Sequence, residues 1–428
     1  MTAPPSRRLK PPAKASLATP LAALCAAGVF ATCWGLLHLH AYAEGQIRDT
    51  PEYQAYGKAV VDGEVPYRDF DVEYPPGALP AFVLPAVGSP SEHGYRIRFD
   101  LLMLVCGIGV VAAVAAGLGA LGAGPVRLLW ALGLAAVAPL LLGPVVLTRY
   151  DFWPAALAAA ALAALCAGRN RLSLALLGVA VAAKVYPAVL APLFVAHVWR
   201  RRDGREAGIA LAIGLAVLVA IFAPFVALAP GGVWDSVVRQ VSRPLQIESL
   251  GSAVLIAAHH LFGLGLRGET SHGSQNLVGS LPDAVGAAAS GLVLAGLVAL
   301  WLWFARRPRD RETLVRASAA AVCLFVAFGK VLSPQYMIWL IPLVPLVRGR
   351  RGAAAGALFA AALLLTQLWF PTRYWNLVFG FGGYESALVL ARDVVLVALL
   401  ALLVWPQAGT TPSRPVVSDG RTGQARAS

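Results

Sequence analysis

Apolar runs of about 17–25 residues recur along this chain, each long enough to carry a helix across a hydrocarbon core of roughly 30 Å. They constrain the fold more than any motif, because a helix satisfies its own backbone hydrogen bonds and can sit in lipid. Of 428 residues, 58% are hydrophobic and only 13% are charged; a soluble domain carries roughly 25% charged residues. The pattern predicts an all-α, polytopic membrane protein. Spans are expected at 18–40, 97–121, 127–147, 152–168, 172–184, 186–199, 207–229, 284–304, 314–330, 335–347, 353–370 and 386–405.

One stretch breaks the regularity. Arg169 and Arg171 precede 172–199 and Arg200, Arg201, Arg202 and Arg205 follow it, so both ends belong on one side. About 28 residues reach only about 42 Å as one helix, too short for two full crossings. Lys184-Val185-Tyr186-Pro187 lies at its middle, and proline breaks a helix there. Two half-helices forming a hairpin, with Lys184 near its tip, are therefore expected. This makes 11–12 transmembrane helices, with both termini cytoplasmic in the plasma (inner) membrane.

The formal charge of +13 does not indicate a nucleic-acid partner. Lys and Arg gather in short connectors, at 7–14, 169–171, 200–205, 306–311 and 348–351, the positive-inside pattern of cytoplasmic loops. Most of the acidic residues fall on the other side, although that rule takes no account of them. Two large external loops are expected, 43–96 and 230–283, in a single transmembrane domain over 18–405. A basic N-terminal segment, 1–17, precedes it, and a Ser-, Gly- and Pro-rich tail, 406–428, is expected to be disordered. The Ala41-Tyr42-Ala43 triplet resembles a leader-cleavage site, but the run before it is long for a leader, so it is read as a retained span. The five cysteines all lie in apolar stretches without metal-ligand spacing and are read as small core residues.

The first external loop carries the densest chemistry: Val65-Pro66-Tyr67-Arg68-Asp69-Phe70-Asp71-Val72-Glu73-Tyr74-Pro75-Pro76-Gly77. Its aromatic residues suit stacking on sugars or lodging at the interface, and its prolines stiffen the backbone. Within it, 52–62 reads as an amphipathic helix lying along the membrane. Short external connectors add matching polar groups: Arg149-Tyr150-Asp151, Lys330, Ser333-Pro334-Gln335-Tyr336 and Arg373-Tyr374-Trp375-Asn376. All sit at helix ends, so they can converge on one cavity.

Asp49 with Tyr53, Gly63 with Tyr67, and Tyr74-Pro75-Pro76 together resemble glycosyltransferase family 87. That GT-C family includes polyprenyl-phosphate-mannose-dependent α-mannosyltransferases of actinobacteria. Lys184-Val185-Tyr186-Pro187 and Ser333-Pro334-Gln335-Tyr336 are similar to motifs of its relatives, and the resemblance covers about residues 18 to 405. It implies transfer of a sugar, mannose first among the candidates, from a polyprenyl-phosphate donor to a hydroxyl acceptor on a lipid-linked or glycan molecule. It also implies inversion and an extracytoplasmic site within reach of membrane lipids. The extended VPYRDFDVEYPPG loop departs from the mannosyltransferase pattern and leaves donor and acceptor open.

The acceptor hydroxyl needs a general base, and a carboxylate suffices. The family pattern places it at Asp49, with Asp69, Asp71 and Glu73 as alternatives; Asp49 could instead cap the following helix. The leaving phosphate needs positive charge, for which Lys184, Arg149, Lys330 and Arg243 are the candidates. Tyr53, Tyr67, Tyr74, Asp151, Gln335 and Tyr336 are candidates for holding substrate, and Arg149 could instead clamp Asp151. No cofactor is expected; a divalent metal at Asp69 and Asp71 is the alternative, although two carboxylates alone do not complete such a site. Arg392 and Asp393 read as a buried pair, and Trp301, Trp303, Trp369 and Trp375 as interface anchors. Rival readings are a transporter of a lipid or small solute, and a GT-C enzyme for arabinofuranose or glucose.

Overall fold

The computed structural model describes residues 18–39, 42, 47–307 and 310–405; the segments 1–17 and 406–428, with Ala41 and Ala43, lie outside them. Runs of Ala and Leu, both strong helix formers, become α1 (Ala18–Leu36), α2 (Thr50–Val61), α3 (Leu79–Ala86), α4 (Glu92–Ala120), α5 (Pro125–Leu142), α6 (Phe152–Cys166) and α7 (Asn170–Ala183). The chain continues through α8 (Ala191–Arg201), α9 (Gly204–Leu228), α10 (Pro230–Val241) and α11 (Leu250–Phe262). It then forms α12 (Ser280–Ala305), α13 (Arg311–Phe328), α14 (Gly349–Trp369), α15 (Tyr374–Gly380) and α16 (Gly383–Val404). Side chains cap several starts by accepting a backbone N–H: Ser91 from Gly94 at 3.2 Å, Asp203 from Glu206 at 2.7 Å and Asp310 from Thr313 at 2.7 Å. Among the described residues, seven helices are long and apolar enough to cross a membrane: α1, α4, α5, α9, α12, α14 and α16. The chain is a multi-pass membrane protein.

The break at Lys184 is present. Its backbone turns extended (φ −161°, ψ 142°), ending α7, and a 3-10 turn over Tyr186–Leu190 leads into α8. Arg171 pairs with Glu206 at 2.9 Å, and Gly178 lies against the backbone of Gly214, so α7 and α9 run in the same direction. The intervening α8 therefore returns, which places Lys184 at the turn of a hairpin.

Four expectations need correction. The stretch 335–347 is not an α-helix; it forms 3-10 turns at Pro334–Leu340 and Val344–Leu346, because Pro334 and Pro345 each remove a backbone donor. The second external segment adds an antiparallel sheet in the order β1-β3-β2, made of β1 (Leu245–Gln246), β2 (Arg267–Ser271) and β3 (Ser274–Val278). Trp369 is fully buried rather than an interface anchor, and Trp301 donates its indole N–H to the Val189 carbonyl at 3.1 Å. Cys25 is exposed on α1, whereas the other four cysteines are buried.

The helices share two ends. At one end, Arg127 pairs with Glu312 at 2.7 Å, Arg311 donates to the Ala120 carbonyl at 2.9 Å, and Arg200 donates to the Phe304 carbonyl at 3.0 Å. The other end gathers the C-termini of α5, α7, α13 and α14 beneath the first loop. There Tyr53 stacks on Phe82 at 4.5 Å and meets Tyr74 and Tyr150 edge-on, so the loop has an aromatic core of its own.

Gly77 joins that loop to the helix break. Trp153 donates to its carbonyl at 3.0 Å, and a Cβ there would come within 2.5 Å of the Ala182 backbone. Gly77→Val is expected to lower the melting temperature of the detergent-purified protein, an overpacking cost of about 1–3 kcal/mol. Gly28→Ala on α1, where no atom lies within 4 Å, should melt like the parent. Equal melting of both variants would show that the loop does not seat on the break.

Candidate functional site

A cavity of about 560 Å³ opens where these helix ends meet the first loop. Asp49 stands at the start of α2 but makes no capping hydrogen bond; its carboxylate turns into the cavity instead. There it forms an ion pair with Arg149 and accepts the Tyr53 hydroxyl at 3.3 Å. Arg149 follows the 3-10 turn Pro144–Leu147 and is buried, so the pair holds the loop onto the bundle. Asp49, not Asp151, is thus its partner.

Asp151 is 1% exposed and takes two donors on one oxygen: Lys184 Nζ at 2.7 Å and Trp339 Nε1 at 2.6 Å. Its other oxygen, Oδ2, has no protein partner. The break that ends α7 is what lets Lys184 reach inward. Its ammonium also lies over the rings of Tyr150 at 4.6 Å, Trp339 at 5.3 Å and Tyr336 at 5.6 Å, an arrangement that favours a desolvated cation. Trp339 is stacked between Tyr186 (4.1 Å) and Tyr336 (3.9 Å), forming an aromatic wall.

The stretch 230–283 supplies the facing wall. Gln240 on α10 donates to the Glu73 carboxylate at 3.2 Å, and Arg243 stands 3.9 Å from the same group. Lys330, just past α13, donates to the Val241 carbonyl at 2.8 Å. Arg243 and Lys330 are thus less tightly matched to carboxylates than Arg149 and Lys184. Gln335 also lines the cavity, with a buried, unpartnered Oε1.

Twelve of the candidate residues named from sequence border this one space; Asp69 and Asp71 do not. Asp69 accepts the Val65 N–H at 2.8 Å and pairs with Arg68, which holds its carboxyl low, at about 2. Asp71 is largely exposed, 3.4 Å from Arg239. Both are turn residues rather than groups facing the site. Among the described residues, no group of three His, Cys, Asp or Glu side chains is placed to hold a metal ion. Tyr53, Tyr67 and Tyr74 reach the cavity but are packed on one another or on neighbours; the Tyr67 hydroxyl donates to the Tyr74 carbonyl at 2.6 Å. Of the connector 373–376, only Tyr374 faces in; Arg373 turns 3.8 Å from Glu385.

Sequence reasoning gave no site role to Gln246, Glu248 and Trp339, which also line the cavity beside Tyr186 and Tyr374. Glu248 lies in the connector between β1 and α11 and is 2% exposed. Burial pushes its carboxyl up to about 7, against the opposing pull of Arg392 and Arg243. A carboxylate in an otherwise unremarkable external loop carries no linear signal that it will be buried. As expected, Arg392 and Asp393 on α16 form a fully buried pair, at 2.6 Å.

The sequence profile of glycosyltransferase family 87 matches residues 73–334, more than half of the chain. That span contains every cavity cation named above and begins after Asp49. The profile of mannosyltransferase (PIG-M) matches residues 274–403. Among solved structures, the chain is similar to ArnT from Cupriavidus metallidurans bound to undecaprenyl phosphate. Identity is 16%, the match covers 90% of this chain and 76% of that one, and the TM-score is 0.48. No curated protein matches.

The Lys184–Asp151 contact generates a test of how the site is held. Lys184→Ala leaves a buried carboxylate without its cation, at an expected cost of about 3–5 kcal/mol. Adding Asp151→Ala should restore part of the loss, so the double variant melts closer to the parent than Lys184→Ala does. Strictly additive losses in thermal melts would show that the two side chains act independently.

Proposed function

The chain belongs to glycosyltransferase family 87, and from that premise we propose that this cavity transfers a sugar from a polyprenyl-phosphate donor to a hydroxyl acceptor at the extracytoplasmic face. The enzyme class follows from the family and excludes the transporter reading. The observation that carries the proposed chemistry is the placement of Asp49. Its carboxylate borders the same space as four cations that come from separate elements. Mannose is favoured among sugars by the likeness of residues 274–403 to a mannosyltransferase profile.

In the proposed reaction, Asp49 takes the proton of the acceptor hydroxyl as its oxygen bonds to the anomeric carbon. The bond from that carbon to the phosphate oxygen breaks, and polyprenyl phosphate leaves carrying the extra charge. Arg149 and the Tyr53 hydroxyl orient the carboxylate. Arg243 and Lys330 are best suited to the phosphate, since neither is closely engaged by a carboxylate. Charge-assisted hydrogen bonds to phosphate are strong. Lys184, held by Asp151 and lying over the aromatic wall, adds positive potential to the same cavity. Displacement from the face opposite the phosphate gives inversion.

The polyprenyl tail has an apolar route. Phe222 on α9, Val233 and Val237 on α10 and Val293 on α12 line the cavity, and α9 and α12 present most of their surfaces outward. The orientation follows from charge: the end bearing Arg127, Arg200 and Arg311 suits the cytoplasm, which puts the cavity and its acidic loop outside.

Two outcomes are expected. Asp49→Ala should insert normally but lose about 10²–10⁴-fold in kcat, the range for a general base, with donor KM little changed. The assay is transfer from radiolabelled polyprenyl-phosphate-mannose by purified protein in lipid. Full activity of that variant, with loss in Glu73→Ala, would move the base to Glu73. Arg243→Ala and Lys330→Ala should each raise donor KM roughly 10–100-fold, from about 1.5–3 kcal/mol per hydrogen bond to a charged group. Asp69→Ala, outside the cavity, should retain activity.

A further inference from the structure

Glu248 is a buried carboxyl that forms no close ion pair with any cation around it. Its carboxylate is buried, it borders the cavity, and its Oε2 has no hydrogen-bond partner. An uncompensated buried carboxylate costs several kcal/mol, so a structural explanation would require a partner cation. The cations around it face other groups: Arg392 Nε lies 2.6 Å from Asp393 and its Nη2 donates to the Glu248 backbone carbonyl at 2.6 Å, Arg149 pairs with Asp49, and Arg243 stands 3.9 Å from Glu73. Any residue at 248 could supply that carbonyl. The link to α16 therefore depends on the backbone, and the carboxylate, which Gln246 and Tyr374 approach, keeps Oε2 without a partner.

The backbone on either side of Glu248 is also fixed in place. Gln246 N–H donates to the Lys330 carbonyl at 2.9 Å, Ile247 N–H to the Gln275 carbonyl at 3.0 Å, and Ser249 N–H to the Gln246 carbonyl at 3.0 Å. Ser249 then begins α11, accepting the Ser252 N–H at 3.4 Å. A carboxylate just before a helix N-terminus is favourably placed. Arg149, the partner of Asp49, lies close enough to feel the charge of Glu248. Glu248 is thus within the reaction space yet belongs to neither tight ion pair.

Its chemistry selects the ligand portion it can face. A carboxylate repels the donor's phosphate and accepts hydrogen bonds from hydroxyls. We propose that Glu248 is a sugar-binding residue, whose free oxygen accepts hydrogen bonds from hydroxyl groups of the donor hexose while the phosphate lies on Arg243 and Lys330. The assignment rests on the polyprenyl-phosphate-sugar reading above and deepens it. Glu248 then distinguishes a loaded donor from spent polyprenyl phosphate, which lacks those hydroxyls. Such discrimination helps the spent lipid leave.

The test compares binding of polyprenyl phosphate and polyprenyl-phosphate-mannose to full-length protein in lipid nanodiscs. The parent should bind the mannose-bearing lipid more tightly than the bare one. Glu248→Ala should lose that preference by roughly tenfold or more, as expected for a hydrogen bond to a charged group, while binding bare lipid at least as tightly as the parent does. Bare-lipid binding that is retained or tighter also reports an intact fold. Glu248→Gln, which keeps one acceptor oxygen and the side-chain volume, should retain part of the preference. A preference undiminished in Glu248→Ala, absent in the parent, or accompanied by equal loss of both lipids would overturn the assignment. Parent protein that bound neither lipid would overturn the donor reading itself, and this assignment with it.

Discussion

Charge in a bundle surrounded by lipid must find a partner, and in this protein that requirement shapes the site. Asp49 and Arg149 come from the first loop and from the entry to α6; their pairing brings the loop down on the helices. Asp151 and Lys184 do the same between α6 and the end of α7. Breaking a buried pair costs about 3–5 kcal/mol, a large part of the stability of a typical domain. Proline and glycine complete the arrangement: Pro187 stops the helix that would otherwise carry Lys184 away, and Gly77 lets the loop approach the break.

The same rule sorts the cavity's cations. Arg149 and Lys184 are committed to carboxylates. Arg243 stands 3.9 Å from Glu73, and Lys330 rests on a carbonyl. Two neighbouring positive groups with little close compensation form a site for an anion, and a phosphate brings its own charge to complete them. Under the proposed chemistry, the carboxylate wall at α2 and α6 serves the acceptor. The cation wall at α10, β1 and the end of α13 serves the leaving group.

Much of this was legible in linear form because each signal is local. A run of apolar residues implies a span wherever it occurs, and the Lys184-Val185-Tyr186-Pro187 break needs only a proline in an otherwise short apolar stretch between two basic clusters. Polar residues at helix ends must converge somewhere, so most of the candidate residues met in one cavity. What was not legible depends on tertiary choice. Arg149 has Asp151 two residues away in sequence, yet its side chain meets Asp49 from another element. Asp69 and Asp71 share a loop with Glu73, but the turn in which Asp69 accepts the Val65 N–H directs them away from the cavity. The strands at 267–278 are short, polar and exposed on β2, so alternation could not mark them. Glu248 looked like any other loop acid until its burial was visible.

The placement of Asp49 and Glu248 bears on the division of labour between two carboxylates in one cavity. Asp49 is held against a guanidinium, which favours its ionised form and fixes the direction of its lone pairs. Glu248 has no comparable partner, and burial pushes its carboxyl up to about 7. It gains most from ligand groups that donate hydrogen bonds without bringing negative charge, which are the hydroxyls of a sugar. If the roles were exchanged, the free carboxylate would serve as base and the ion-paired one would bind hydroxyls. Arg149 would then stand idle beside a neutral ligand. The observed pairing therefore favours Asp49 for the proton and Glu248 for the sugar.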